Sequence, residues 1–394
     1  MRLCARTKTR LPKTKLGRML VLKILFWASL GALLWTHLGY ALATALAARV
    51  RRRSVQLADM TPSMSIVVAA HDEEDVIERR VANLLELDYP LERLDIVVAS
   101  DASEDRTDAI VEAIAAREPR VRLLRCPRGG KVEAQNAGVR ATSGEVVAFS
   151  DANAAWAPDA LAKLVRNFAD PDVGYVCGRA SYESSGGTNR EGVYWRFELW
   201  LRKQESALGS ITAGNGAIYA VRREDYVEID ASFGHDLGFP YTMVQRGRRA
   251  VYDPEALSLE KPSTDLEDEY ERKVRMSTGA WVHVLSGRML RGVGPLYLAE
   301  LVSHRLLRYA SGLLHLLLLG TNVALLGEGV VYQAALVGQL AWLALAAAGR
   351  LRIPVPGAGL AYYYFLVTWS TVAGLSRYLR LGPPLLWEKV EGTR

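Results

Sequence analysis

Cysteine is scarce in this chain of 394 residues: Cys4, Cys126 and Cys177 stand far apart, with no CxxC pair and no His/Cys spacing around them. A disulfide framework and a cysteine-based zinc site are both excluded, and a reducing compartment fits. Charge of one sign is scarce as well. The 49 Lys and Arg residues against 43 Asp and Glu leave a formal net charge of +6. The basic residues gather beside apolar runs rather than along an aromatic-rich face, which argues for anionic lipid headgroups and against nucleic acid as a partner. What is abundant is apolar side chain. Half of the residues are hydrophobic, enough for a sizeable core plus membrane segments, and the length exceeds that of one average domain.

Residues 20 to about 48 are almost wholly apolar, interrupted by Lys23, Thr36 and His37. This run exceeds the roughly 20 residues that span a bilayer and the roughly 7 to 15 of a cleaved signal peptide. It is read as a retained transmembrane anchor. Arg49, Arg51, Arg52 and Arg53 follow it and place the next segment in the cytoplasm by the positive-inside bias. Arg2, Arg6, Lys8, Arg10, Lys13, Lys15 and Arg18 flank the other end and oppose that orientation; translation from Met19 would remove the conflict.

From 64 to 285 the hydropathy is that of a soluble domain. The short β-branched runs MSIVVAA (64–70), LDIVVAS (94–100), VRLLRC (121–126) and EVVAFS (145–150) alternate with amphipathic windows such as EDVIERRVANLLEL and EDRTDAIVEAIAARE. Strands alternating with helices predict an α/β domain with a wound, mostly parallel sheet. After 297 the chain turns apolar again. HRLLRY (304–309) reads as interfacial, and 310–326, 330–348 and 358–379 read as three more transmembrane helices, with Arg350 and Arg352 in a cytoplasmic turn. The predicted divisions are a basic N-terminus and anchor (1–53), a cytoplasmic catalytic domain (54–285), and an interfacial helix with about three transmembrane helices (286–394).

In wound sheets, ligands bind beyond the carboxyl ends of the strands. The polar residues at those four points are His71-Asp72-Glu73-Glu74, Asp101-Ala102-Ser103-Glu104-Asp105, Gly129-Gly130-Lys131 and Asp151-Ala152-Asn153. Singly, an acid after a strand commonly caps the next helix, and Asp105 and Glu74 are open to that reading. Jointly, three acidic clusters and a lysine on one sheet edge are electrostatically costly without a cation and a phosphate-bearing ligand.

The order SIVVAAHDEE, VVASDASEDRT and GGKVEAQNAGVRATSGEVVAFSDAN, followed by TAGNGAIYAVRRE (212–224), GHDLGF (234–239) and ERKVRMSTGAW (271–281), resembles the family 2 glycosyltransferases of GT-A fold. The flanking membrane segments resemble those of polysaccharide synthases and lipid-linked transferases. This resemblance implies a nucleotide-sugar donor, with a UDP-sugar favoured, and a glycan or lipid-linked acceptor at the bilayer. It assigns Ala70, His71, Glu73 and Asp101 to the nucleoside, where a carboxylate would accept the uracil imide hydrogen, and Lys131 to the diphosphate. Asp151 and Asn153 take the DxD position, a motif that in the family touches the ribose and coordinates the metal, so that Asp151 is assigned to the donor and both residues to Mg2+ or Mn2+. Asn153 is a departure: an amide oxygen ligates without charge, so weaker metal affinity is expected. Asp236 matches the catalytic base, which accepts the acceptor's proton while the anomeric centre inverts; His235 is its neighbour.

The family's QxxRW motif finds its best match at Arg272-Lys273-Val274-Arg275-Met276. Arg272 and Arg275 are assigned to the departing diphosphate. Met276 stands where tryptophan is expected, with Trp281 five residues on, and this argues for single transfers over polymer extension. The aromatic window GVYWRFELWLRKQESAL (192–208) reads first as core or interface packing and second as an acceptor contact through Trp195 or Trp200. Two rival readings stay open. One is a polyprenyl-phosphate sugar synthase, which needs no base; the other is a silent membrane scaffold that keeps nucleotide binding.

Overall fold

The computed structural model describes residues 13–182, 190–260 and 266–383. The first apolar run folds as helix α1 (Lys13–Leu34), a π-helical turn (Trp35–Gly39) and α2 (Tyr40–Val50). Residues 17–50 of this unit are long and apolar enough to cross a membrane.

The soluble region builds β1 (Met64–Ala70), α3 (Ile77–Leu85), β2 (Leu94–Asp101), α4 (Thr107–Ala115), β3 (Val121–Cys126), α5 (Lys131–Arg140), β4 (Val146–Asp151), β5 (Ala155–Trp156), α6 (Ala160–Val165), β6 (Val173–Tyr182), α7 (Arg190–Leu208), β7 (Tyr219–Arg222), α8 (His235–Gln245), β8 (Arg249–Glu260) and α9 (Leu266–Ser286). The eight strands form one sheet in the order β3-β2-β1-β4-β7-β6-β8-β5. All seven residues of β1 are buried, as a central strand covered on both faces requires. On one face Ile77, Val81 and Leu84 of α3, spaced for one side of a helix, join the core with Ile66 and Val68. On the other, Val67 and Val147 pack with Val132 and Val139 of α5. Gly138 lets α5 approach closely, since a Cβ there would collide with the Val67 side chain.

The four strands expected from the sequence are β1 to β4, and they pair in parallel. The other half of the sheet is mixed: β7 runs antiparallel to both β4 and β6, β5 antiparallel to β8, and β6 parallel to β8. Parallel register aligns the carboxyl ends of β1, β2, β3 and β4, with Ala70 opposite Ser100, Asp101 opposite Cys126, and Ala69 opposite Asp151.

The C-terminal region forms α10 (Pro295–Glu300), a π-helical turn (Leu301–Leu306), α11 (Leu307–Tyr309), α12 (Ser311–Ala324), α13 (Val330–Arg350) and α14 (Ala358–Leu381). Helices thus occupy all four apolar runs. By length and composition α13 qualifies as a membrane span beside 17–50, and the segments 295–309 and 311–324 qualify only if counted as one span bent by 64°. α12 is too short alone, at 14 residues. α14 has the length and packs against α9, where Ser370 meets Ser277 and the Thr371 carbonyl accepts the Trp281 indole N–H at 2.8 Å.

Candidate active site

The loops after β1 and β2 are tied to each other. Asp72 and Ala102 both hold left-handed backbone, φ +53° and +52°, a conformation that non-glycine residues keep only where the surroundings enforce it. Asp72 Oδ1 accepts the Glu104 N–H at 2.8 Å, and the Asp72 N–H donates to Ser103 Oγ at 3.2 Å. Asp105 accepts the backbone N–H groups of Glu74 at 3.0 Å and Thr107 at 2.8 Å; its side chain therefore caps backbone at the start of α4. The buried Glu73 donates its own N–H to Thr107 Oγ1 at 2.7 Å. Ala70 ends the first strand inside the core, and His71 Nδ1 donates to the Asp101 carbonyl at 2.9 Å.

Asp101 is fully buried, and its carboxylate accepts Gly129 N–H at 2.7 Å, Gly130 N–H at 3.0 and 3.1 Å, and the Arg128 guanidinium at 2.5 Å. The side chain expected to meet a base edge also shapes the turn that delivers Lys131. Gly130 stands at φ +87°, where a side chain would be strained, and α5 begins at the next residue.

Lys131 Nζ forms an ion pair with Asp151 Oδ1 at the end of β4. Partial burial alone would lower the Lys131 ammonium, but Asp151, then Asp236 and Glu260, outweigh it, so the group stays charged with its pKa raised. Lys131, Asp151, Asp236 and Glu260 therefore belong to one electrostatic neighbourhood, drawn from α5, β4, α8 and β8. The loop before β7 closes it. Gly214 N–H donates to the Asp236 carbonyl at 2.7 Å, and a Cβ on Gly216 would stand 3.0 Å from Lys131 Nζ and 3.3 Å from Asp151 Oδ2. Only glycine leaves that cradle beside the ion pair open. Asp236 lies in the first turn of α8, where the helix dipole favours its negative charge.

His235 sits beneath this group, 4% exposed, edge-on to Phe149 and Phe239 at 5.5 and 4.7 Å between ring centres. Its Nδ1 meets Tyr219 Oη at 2.8 Å, and Gln135 donates to that same hydroxyl at 3.2 Å. Burial, helped by Lys131, pulls its pKa down to about 3. The unfolded chain takes up this proton near pH 6.5 and the folded chain does not, so the stability His235 contributes is full above pH 6.5 and falls as pH drops toward 3. His235→Gln is expected to flatten the decline of Tm with acidification between pH 6.5 and 4, read by circular dichroism melts; an unchanged slope contradicts the assignment.

The glycosyl transferase family 2 model matches residues 65–229. The match takes in strands β1 to β7. Among curated relatives, a β-monoglucosyldiacylglycerol synthase of Trichormus variabilis is 32% identical over 212 residues, covering 52% of this chain and 45% of that protein. An N-acetylglucosaminyltransferase of Rhizobium meliloti is 25% identical over 287 residues, covering 66% and 67% respectively. The chain thus spans about half the length of the first of these relatives. The mannosyltransferase of Pyrobaculum calidifontis, solved with GDP-Man and Mn2+, superposes with a TM-score of 0.71 at 23% identity, covering 92% of this chain and 98% of that one. The fold is of the GT-A type.

The matched region offers a cation a carboxylate at Asp151 and an amide in the turn after β4 at Asn153. Among the described residues no three His, Cys, Asp or Glu side chains converge to hold an ion unaided. Asp151 with the open cradle at Gly216 fits a hard cation that takes its remaining ligands from a diphosphate and water, the usual habit of Mg2+.

Beyond the matched region, Arg272 is held on its own helix by Glu269 at 2.8 and 3.0 Å, and Lys273 shares the same carboxylate at 3.2 Å. Burial would raise Glu269, but Lys273 and Arg272 keep it lowered. Arg275 lies one turn further along α9. Met276 is 51% exposed, whereas Trp281 is buried against α14 and presents no platform in its place. Trp195 donates its indole N–H to the Ala180 carbonyl at 2.9 Å, a packing role, while Trp200 is exposed. Sequence reasoning did not single out Arg128, Glu260 or Tyr219. Gly214 and Gly216 were visible only as part of the TAGNGA string.

Proposed function

We propose that this chain is an inverting glycosyltransferase that moves a sugar from a nucleoside-diphosphate donor, a UDP-sugar by preference, to a lipid or glycan acceptor at the membrane. The observation that supports it is the charge arrangement at the sheet edge: Asp151 and Asp236, from separate halves of the domain, both act on Lys131. In this reading the Lys131 ammonium faces the diphosphate as a compact point charge. Asp236 accepts the proton of the acceptor hydroxyl as its oxygen attacks the anomeric carbon, and the bond from that carbon to the diphosphate breaks, its electron pair leaving with the diphosphate. Attack opposite the leaving group inverts the centre. Asp151 and Asn153 would hold Mg2+ or Mn2+, which supplies further charge neutralisation to the diphosphate oxygens. Arg272 and Arg275 are proposed to steady the departing group from α9.

The relatives named as a glucosyldiacylglycerol synthase and as N-acetylglucosaminyltransferases support lipid and glycan acceptors in turn, and the spans at 17–50 and α13 support an acceptor presented at the bilayer. Arg49 to Arg53 favour a cytoplasmic catalytic domain. Exposed Met276 and the small number of spans favour single transfers. The test is a screen of UDP-, GDP- and dTDP-sugars with Mn2+ or Mg2+, using purified full-length protein and total membrane lipid and scored by nucleotide release. Release with one donor class and a divalent ion is expected; no release from any donor overturns the transferase reading and leaves the scaffold.

A further inference from the structure

Behind the site lies a buried polar cluster that the transfer chemistry does not use. Glu205 of α7 is fully buried, and its carboxylate is met from three directions. Tyr40 of α2 donates its hydroxyl at 2.7 Å. His304, in the π-helical turn before α11, approaches at 2.6 Å through Nδ1. Thr212 donates its backbone N–H at 3.1 Å and places its hydroxyl 3.0 and 3.2 Å from the two oxygens. His304 Nε2 turns to Glu198 at 3.3 Å, so both ring nitrogens face carboxylates. Arg305 donates to Thr212 Oγ1 at 2.8 Å, and Arg308 pairs with Glu198. Burial would raise Glu205, but His304, Arg305 and Tyr40 hold it down at about 2, so it stays ionised.

Thr212 is the entry to the loop that closes the site. Two residues on, Gly214 donates its N–H to the Asp236 carbonyl at 2.7 Å and its carbonyl accepts Arg202 at 3.0 Å. Two residues further, Gly216 borders Lys131 and Asp151. Glu205 is thus joined on one side to the N-terminal membrane helix and the segment leading into α12, and on the other to the loop that touches Asp236 and the ion pair. In a buried environment a carboxylate stripped of one donor is costly, so the loop's position and the docking of those helices are energetically linked.

We propose that Glu205 is a positioning residue for sugar transfer, tying the 212–216 loop to the membrane helices so that Asp236 is aligned only when those helices are docked. The proposal rests on the transferase reading above for its catalytic consequence; the mechanical link stands apart from it.

Tyr40→Phe and Thr212→Val, each removing a hydroxyl from the cluster, test it in the full-length protein in micelles. Amide hydrogen exchange of residues 213–216 is expected to quicken about tenfold in both. The kcat for transfer should fall about 10- to 100-fold, the range for small misplacement of reacting groups, while UDP and GDP binding by calorimetry stays within about threefold of wild type. Thr212→Ser should restore both exchange and kcat. Unchanged exchange, unchanged kcat per folded molecule, or nucleotide binding lost in step with kcat would each overturn the proposal. Should Thr212→Val fail to fold, Tyr40→Phe decides alone, because it removes one oxygen only. Should the wild type transfer no sugar, the transferase reading fails by that result, and the exchange measurement still decides the link.

Discussion

Asp236→Asn is expected to lower kcat about 10²- to 10⁴-fold, the usual contribution of a general base, and to leave the KM for the nucleotide sugar within about threefold. The substitution keeps the shape of the side chain and the first turn of α8, where Asp236 Oδ1 already accepts the Leu237 N–H at 3.0 Å. What it removes is the charge that, in the proposed mechanism, takes the acceptor's proton. Asp151, not Asp236, forms the direct pair with Lys131, so donor binding should survive. Steady-state transfer with separate titrations of donor and acceptor checks this. Unchanged turnover would take the base out of the mechanism and favour a phosphate acceptor, which arrives already ionised.

Asp151→Asn should act differently. It leaves the partly buried Lys131 without its nearest counter-charge and replaces the carboxylate proposed to hold the cation by an amide. The Mn2+ concentration needed for half-maximal activity is expected to rise at least about tenfold, and kcat/KM for the donor to fall about 10²- to 10³-fold, as for loss of a preorganised electrostatic contact. Metal titration at saturating acceptor measures the first quantity and initial rates at low donor the second. A variant with wild-type metal dependence would place the cation elsewhere. The contrast between the two variants is itself informative: Asp236→Asn spares donor affinity, while Asp151→Asn impairs it.

Much of this arrangement was legible in the sequence, and physical reasons separate what was from what was not. MSIVVAA and LDIVVAS are continuous apolar, β-branched runs, which a strand buried on both faces demands, and their polar successors fall at the carboxyl edge by topology alone. Lys131 and Asp151 were therefore findable, whereas Asp236, in α8, was singled out by the family resemblance alone. The contacts that Asp101 makes within its turn were not findable. A carboxylate after a strand looks the same whether it awaits a ligand or folds a turn, and only coordinates show Gly129, Gly130 and Arg128 upon it. The mixed half of the sheet was obscure because β7 is only four residues long and follows a glycine-rich loop. Run length alone does not register the 64° bend before α12. The Glu205 cluster was illegible for a simpler reason: its partners Tyr40 and His304 lie 165 and 99 residues away in the chain, and nothing in local periodicity records a contact at that range.

The central claim is that Lys131, Asp151 and Asp236 surround the diphosphate of a nucleotide sugar. A crystal or cryo-EM structure of the full chain with UDP or GDP and Mn2+ tests it most directly. The account predicts a manganese ion within about 2.5 Å of the Asp151 carboxylate, the diphosphate against Lys131, and Asp236 lining the same cleft with its carboxylate clear of the metal. A nucleotide seated away from the ends of β1 and β4, or an ion bound with Asp151 still closed upon Lys131 and remote from it, would contradict the account.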